Sequence, residues 1–513
     1  RSREMARNGY AEQKWSTQNT ESLEWIFNYN KLFGAHSIKA VAGYSYQRLG
    51  RKEKFEGDNA NFSVDGTKWY NMGEGSWLKE GRSSIYSHKD PLETLVAYFA
   101  RVNYSYADRY LLSVSARYEG SSKFGENNRY GWFPAVSAAW RISNEGFMKN
   151  VNWLDDLRIR FGYGRTGNGW FTPGVTTRMY KYDTSSSVVR TWYFNGAWSS
   201  VYGLARNVNP DLQWETKDEY NFGVDFQVLK GRLSGKLDVY KRKVDNMIYD
   251  ISVSQPPAVY DKTTMNVGSM ENNGFEIELT GVPVRTKDWN YTTSLQISRN
   301  KTRLITLWGS QTVFDDYEFP TPGSPGKAVR LAPGEDIGRF YIWKYAGIAD
   351  DGSWLLYDKD NNIIPAAEKT LEDKRHIGQA MPDVILSWDN SISWKNFDLS
   401  LFFRSWIGND VFNMTEMYHG LQSASGQNTR NRLKSAFGRN ANITGEKELC
   451  DYFLEDGSFL KLDAATLGYT LRIPSIKSYI KSIRFTFTAR NVFCLTKYRG
   501  IDPEVNTNGL TPG

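Results

Sequence analysis

Apolar and polar residues alternate along this chain with a period of two. In "YFARVNYSYADRYLLSVSARYEG" one alternate set is Tyr98, Ala100, Val102, Tyr104 and Tyr106. After a turn at Ala107–Arg109 it continues as Leu112, Val114, Ala116 and Tyr118. The intervening set is Phe99, Arg101, Asn103 and Ser105, then Leu111, Ser113, Ser115 and Arg117. Such alternation predicts β-strands with one apolar face. It recurs in "SLEWIFNYNKLFGAHSIKAVAGYSYQ", in "LRIRFGYG", where Leu157, Ile159, Phe161 and Tyr163 oppose Arg158 and Arg160, and in "YNFGVDFQVLKGRLSGKLDVY". It persists through "FEIELTG", "WNYTTSLQIS", "VILSWDNSISWKNFDLSLFFRSW" and "SIRFTFTARNVF". The pattern predicts about fourteen strands and no amphipathic helix.

The connections alternate too. Strands 20–31 and 35–48 join by a short link, and 49–93 is long. A short turn splits 94–119, and the link near 120–130 is longer. The link near 143–154 is intermediate, and 166–215 is long. Lys230–Gly231 is a tight turn, and 250–272 is long. The link near 285–288 is short, and 303–383 is very long. Lys395–Asn396 is short, and 408–457 is long. A soluble sandwich also pairs an apolar face with a polar one, but it has no reason to put every short turn at one rim. Many strands reach the roughly ten residues that cross a bilayer when tilted. Tyr and Trp cluster at the ends of the apolar faces, with Tyr98, Tyr104, Tyr106, Tyr118 and Trp140 as expected membrane-interface aromatics. The expected fold is all-β, a transmembrane antiparallel β-barrel with long extracellular loops. Its apolar face meets lipid and its polar face lines the lumen.

Composition agrees. Of 513 residues, 15% are aromatic and 24% charged, with 44 Gly, which favours strands and turns over helices. The net charge of +7 is spread without a basic stripe, which argues against a nucleic-acid partner. Cys450 and Cys494 form no CxxC pair and no disulfide framework. No apolar run is long enough for a membrane helix, a test to which barrel strands are invisible. The chain opens "RSREMARNGY" and closes "NTNGLTPG", so it is expected to be a segment of something longer. Residues 1–513 read as one barrel domain, incomplete at both ends.

Several motifs invite chemistry. "GYGRTG" (Gly162–Gly167) matches GxGxxG, but the dinucleotide fingerprint needs a buried strand before it and a helix after it. Here Arg158 and Arg160 precede it and "NGWFTPG" follows, so the glycines are expected to serve a strand end and turn. "DKDNN" (Asp358–Asn362) resembles a calcium loop but has Ile363 and Lys369 where an EF-hand requires Gly and Glu; a solvated turn is the simpler expectation. His36, His88, His376 and His419 are isolated, and no metal, cofactor or catalytic set emerges. The loop aromatics Trp170, Phe171, Trp192, Tyr193, Trp198, Trp308 and Tyr317 are the candidate contacts for a ligand or lid. They can stack on a sugar or a partner protein, or pack against one another.

Longer phrases carry a family resemblance. "YFARVNYSYADRYLLSVSARYEGSSKFGENNRYGWFPAVSAAWRISNEGFMK", "LDDLRIRFGYGRTGN", "NPDLQWETKDEYNFGVDFQVLKGRLSGKLDVYKRKVDNMIY", "NNGFEIELTG", "YFLEDGSFLKLDAATLGYTL" and "RNVFCLTKYRGIDPEVN" resemble, in order, the SusC/RagA family of TonB-dependent outer-membrane transporters. The resemblance implies a plugged barrel of about 22 strands. The present strands would be its C-terminal two-thirds. The plug, the TonB-contacting segment and an N-terminal β-domain would precede Arg1, and a last strand would follow Gly513. It implies import of an oligosaccharide or peptide into the periplasm of a Bacteroidota-type bacterium, driven through TonB, under a SusD-like lipoprotein lid. It brings no catalytic residues, no cofactor and no transferable ligand contacts. The alternatives are a TonB receptor for a metal chelate or vitamin, and a secreted soluble glycan-binding protein or glycosidase.

Overall fold

The computed structural model describes residues 8–50, 53–64, 70–89, 92–171, 174–182, 191–200, 202–307, 314–318, 326–422, 431–472 and 480–504. Fourteen antiparallel strands form one sheet in strict chain order. They are β1 (Thr20–Phe33), β2 (His36–Leu49), β3 (Glu93–Tyr106), β4 (Tyr110–Ser121), β5 (Tyr130–Arg141), β6 (Leu154–Asn168) and β7 (Glu215–Val228). They continue as β8 (Leu233–Asp245), β9 (Ser269–Arg285), β10 (Trp289–Thr306), β11 (Val384–Trp394), β12 (Phe397–Ile407), β13 (Phe459–Leu471) and β14 (Ile483–Thr496). Among the described residues the sheet is open, with β1 and β14 at its edges. The one α-helix among them is the short Met414–His419.

The register explains the alternation. Trp25, Tyr44, Tyr98, Tyr118 and Trp132 lie side by side across β1–β5. Ring centroids are 6.2 Å apart for Trp25–Tyr44, 5.2 Å for Tyr44–Tyr98 and 4.7 Å for Tyr118–Trp132. A second row beside the short turns runs Phe33, His36, Tyr106, Tyr110 and Trp140. Tyr104 sits one step inside it, its hydroxyl 2.8 Å from Nδ1 of His36. Between the rows the face is smooth, for example Ala40, Val102, Val114 and Val136. A third row beside the short turns of the later strands runs Trp289, Trp394, Phe397 and Tyr469. Cross-strand aromatic pairs of this kind contribute roughly 0.2–1 kcal/mol each.

The other face is polar. Arg158, Asp225, Lys236, Glu278, Gln296 and Ser387 form a ladder across β6–β11. One strand position away, Arg160 donates two hydrogen bonds of 2.9 Å to Asp225 and one of 3.0 Å to Asp238. Gly223 makes room for this triad, since a Cβ there would lie 2.5 Å from the guanidinium. Asp225→Asn leaves Arg160 paired with Asp238 on the polar face, where all three side chains are partly exposed. It should therefore cost no more than about 1 kcal/mol in chemical denaturation.

Tight turns close the strand pairs at 34–35, 107–109, 229–232, 286–288 and 395–396, all at one rim. The link 142–153 lies at that rim but is longer than 122–129 at the other. Length parity thus inverts there, while the antiparallel order still fixes the sides. "GYGRTG" occupies the end of β6, one residue short of its last, Asn168, so its glycines serve the strand end as expected but lie in the strand rather than in a turn. A Cβ on Gly167 would meet the Phe133 ring at 2.2 Å, so packing across the sheet sets the residue choice.

The wall has no interior of its own, and the buried cores lie in the long connections. The larger joins 307–383 to 408–458 through Phe340, Ile342, Trp343, Trp354, Phe412, Met417, Leu449 and Phe453. Short sheets inside these connections brace it. Cys450 is fully buried there, and burial pushes its thiol up from the ordinary range. The smaller core is Phe124, Phe171, Val175 and Leu212. Asp358 takes up the backbone amides of Asp360 and Asn362 and the Asn362 side chain within a hairpin turn. The Asn362 bond holds its carboxyl below the usual range, as in the solvated turn expected of this motif.

Candidate functional site

At the long-connection rim, the ends of β2, β3, β4 and β6 surround a cavity of about 1220 Å³. Trp170, Phe171, Trp214 and Tyr249 supply its aromatic surface, and charges of both signs line it: Glu93, Glu119, Lys123, Asp250, Lys262 and Lys327.

Each residue is held by local structure. Glycine at 125 brings 122–129 against the chain before β7, where a Cβ would lie 1.7 Å from the Pro210 carbonyl oxygen. That approach seats Phe124 on Trp214, centroids 4.6 Å apart, and on Phe171, 5.0 Å apart. The Trp214 indole N–H donates to the Arg129 carbonyl at 3.0 Å, fixing its ring. The Asn168 side chain accepts from the Trp170 amide at 3.0 Å and donates to Glu215 at 2.9 Å. The Trp170 side chain is left 86% exposed at the cavity. Lys123 lies 3.7 Å from Glu93 and over the Phe171 ring. Burial pushes its ammonium down from the ordinary range, against the pull of Glu93.

The sequence-predicted aromatics therefore separate. Trp170 opens to the cavity. Phe171 borders it but is buried in the smaller core, so it packs within the loops. Trp192, Tyr193 and Trp198 stand on a separate hairpin, Thr191–Phe194 with Ala197–Ser200, and are exposed. Asn195 and Gly196 turn it with φ of 50° and 80°, as a tight hairpin requires. Tyr193 and Trp198 meet edge to face at 5.3 Å. Trp308 and the side chain of Tyr317 lie outside the described residues. Trp214, Tyr249 and Lys123 were not singled out by the sequence. The available signal was their position beside the ends of predicted strands.

This arrangement can bind an extended polar ligand by stacking and ion pairing. Among the described residues no cluster of His, Cys, Asp and Glu could hold a metal ion. The sequence model described as "TonB dependent receptor-like, beta-barrel" matches residues 2–492. The TonB-dependent receptor SusC of Bacteroides thetaiotaomicron is 30% identical over 81% of this chain and 42% of its own length. The TonB-dependent receptor P3 of Formosa agariphila is 29% identical over 96% of this chain and 49% of its own. The RagAB peptide transporter structure superposes with a TM-score of 0.78 at 25% identity, covering 96% of this chain and 53% of that one. The chain thus spans about half the length of the relatives it matches.

Proposed function

Because this chain belongs to the TonB-dependent receptor-like β-barrel family of the outer membrane, and within it to the SusC/RagA type, we propose that it forms the wall and outer mouth of an active importer. The cargo is an oligosaccharide or a peptide. A SusD-like lipoprotein covers the mouth, and the TonB complex drives release into the periplasm. The observation that carries this reading is the wide cavity at the long-connection rim, with Trp170 open beside charges of both signs. Those charges favour a peptide, whose termini and side chains they can pair. The secreted soluble reading falls with the family assignment. In this reading the aromatic rows mark the two membrane boundaries. The eight positions from Tyr98 to Tyr106 span about 20 Å along the membrane normal, at about 3.3 Å per residue and a tilt near 40°.

The test uses the full-length gene product. Deleting the gene should abolish growth on one cargo class supplied as sole source, oligopeptide or oligosaccharide. Unchanged growth on both, with loss on a metal chelate instead, would replace the nutrient reading by the chelate one. Trp170→Ala should weaken cargo binding in calorimetric titration about tenfold, the effect of removing one well-placed aromatic. Unaltered affinity would move the binding surface away from this cavity.

A further inference from the structure

On the apolar face of β6–β10 the surface is concave. Phe161, Tyr220, Phe222, Val239 and Phe275 line a groove of about 640 Å³. Its end nearer the long connections changes character while keeping the same strand parity. The row Phe222, Val239, Phe275 ends on Arg299. The next row, Tyr220, Lys241, Asn273, Lys301, places two lysines on either side of a short side chain. Lys241 pairs with Glu271 at 2.8 Å, and Lys301 with Asp336 at 2.9 Å. Arg299 is exposed, and among the described residues it has no carboxylate within ion-pair distance.

Depth gives this cation a meaning. Arg299 lies ten positions beyond Trp289, which belongs to the row beside the short turns. At the same rise and tilt that is about 25 Å, the height of the apolar band of an outer-membrane barrel. The guanidinium therefore reaches the headgroup level of the outer leaflet, beside an apolar trough. At that level an arginine is tolerated on the outer face of a barrel, and its guanidinium suits lipid phosphate through paired hydrogen bonds.

We propose that this groove is a binding site for a phosphate-bearing lipid of the outer leaflet. An acyl chain lies along Val239 between Phe222 and Phe275, and the phosphate meets Arg299 with help from Lys241 and Lys301. The inference rests on the outer-membrane placement and is independent of the cargo.

The experiment is native mass spectrometry of the full-length protein, extracted in mild non-ionic detergent and titrated with a phosphate-bearing lipid or with a neutral lipid of matched chains. The wild type should retain the anionic lipid in preference to the neutral one. Arg299→Gln should lower retention roughly fivefold, the effect of one cation beside an anionic lipid, and Arg299→Lys should restore much of it. Val239→Trp, which fills the trough, should lower retention with the cations intact. Equal retention by wild type and Arg299→Gln would overturn the proposal. So would displacement of the lipid by millimolar inorganic phosphate, which would show an anion site with no acyl component. Cargo uptake is scored separately, so a failed cargo assignment leaves this result readable.

Discussion

Val224→Arg is expected to destabilise the folded protein in a bilayer by roughly 2–4 kcal/mol, the cost of arginine at mid-depth on a barrel's lipid face. Val224 lies in the middle of the apolar run of β7, between Ile159 of β6 and Leu237 of β8. Among the described residues no carboxylate shares that face at its depth, because Asp225 and Asp238 point to the opposite side with Arg160. The measurement is urea-dependent folding of the full-length protein into lipid vesicles, with Val224→Leu as the volume control. Val224→Leu should cost less than about 1.5 kcal/mol. If Val224→Arg were no worse than Asp225→Asn, the two faces would be assigned the wrong way round.

The second large effect lies outside the wall. Phe453→Ala should remove about 3–5 kcal/mol from the body built by the connections 307–383 and 408–458. Phe453 is fully buried there, with Trp354 at 5.7 Å, Tyr452 at 5.1 Å and Phe412 at 6.2 Å between ring centroids. Cys450 supplies the readout, because a buried and protonated thiol is inert until the body opens. Maleimide should modify it much faster in Phe453→Ala than in the parent, while the strands keep their far-UV signal. An unchanged labelling rate would mean that this core contributes little to the body's stability.

These elements were unequally legible. The wall was readable because its information is local: each strand declares its two faces by parity, and the tight turns show as short breaks in that alternation even where Ala107, Leu229 or Lys395 takes a positive φ. The long-connection body was not, because its contacts join residues far apart in the chain. Trp343 donates its indole N–H to Thr370, exchanges backbone contacts with Leu449 and Asp451, and packs with Phe412 and Phe453 in one core. No periodicity records such meetings. Phe171 and Trp170 are adjacent in sequence and equally apolar, yet one turns into the loop core and the other to solvent. That choice was made by Phe124 and Trp214, which arrive from other connections. The glycines of "GYGRTG" read as a strand end, and they lie at one, but the reason for Gly167 was out of reach. A Cβ on Gly167 would run into the Phe133 ring that a neighbouring strand places over it, whereas Gly162 faces open space. The Asn195–Gly196 hairpin carries its turn chemistry in two residues, yet in the sequence it reads only as part of a long loop.

If the aromatic rows sit at the two membrane boundaries, as proposed, they have a consequence for where such a wall can reside. Their separation is built into strand register and cannot stretch, so a lipid layer much thicker than the apolar band must thin around it. Hydrophobic mismatch costs fractions of a kcal/mol per ångström. Over this perimeter the cost grows with every added methylene, so vesicles of increasing acyl length should take up the protein progressively more slowly. In the proposed placement the rows would thus be an address as well as an anchor, favouring thin membranes through elastic energy.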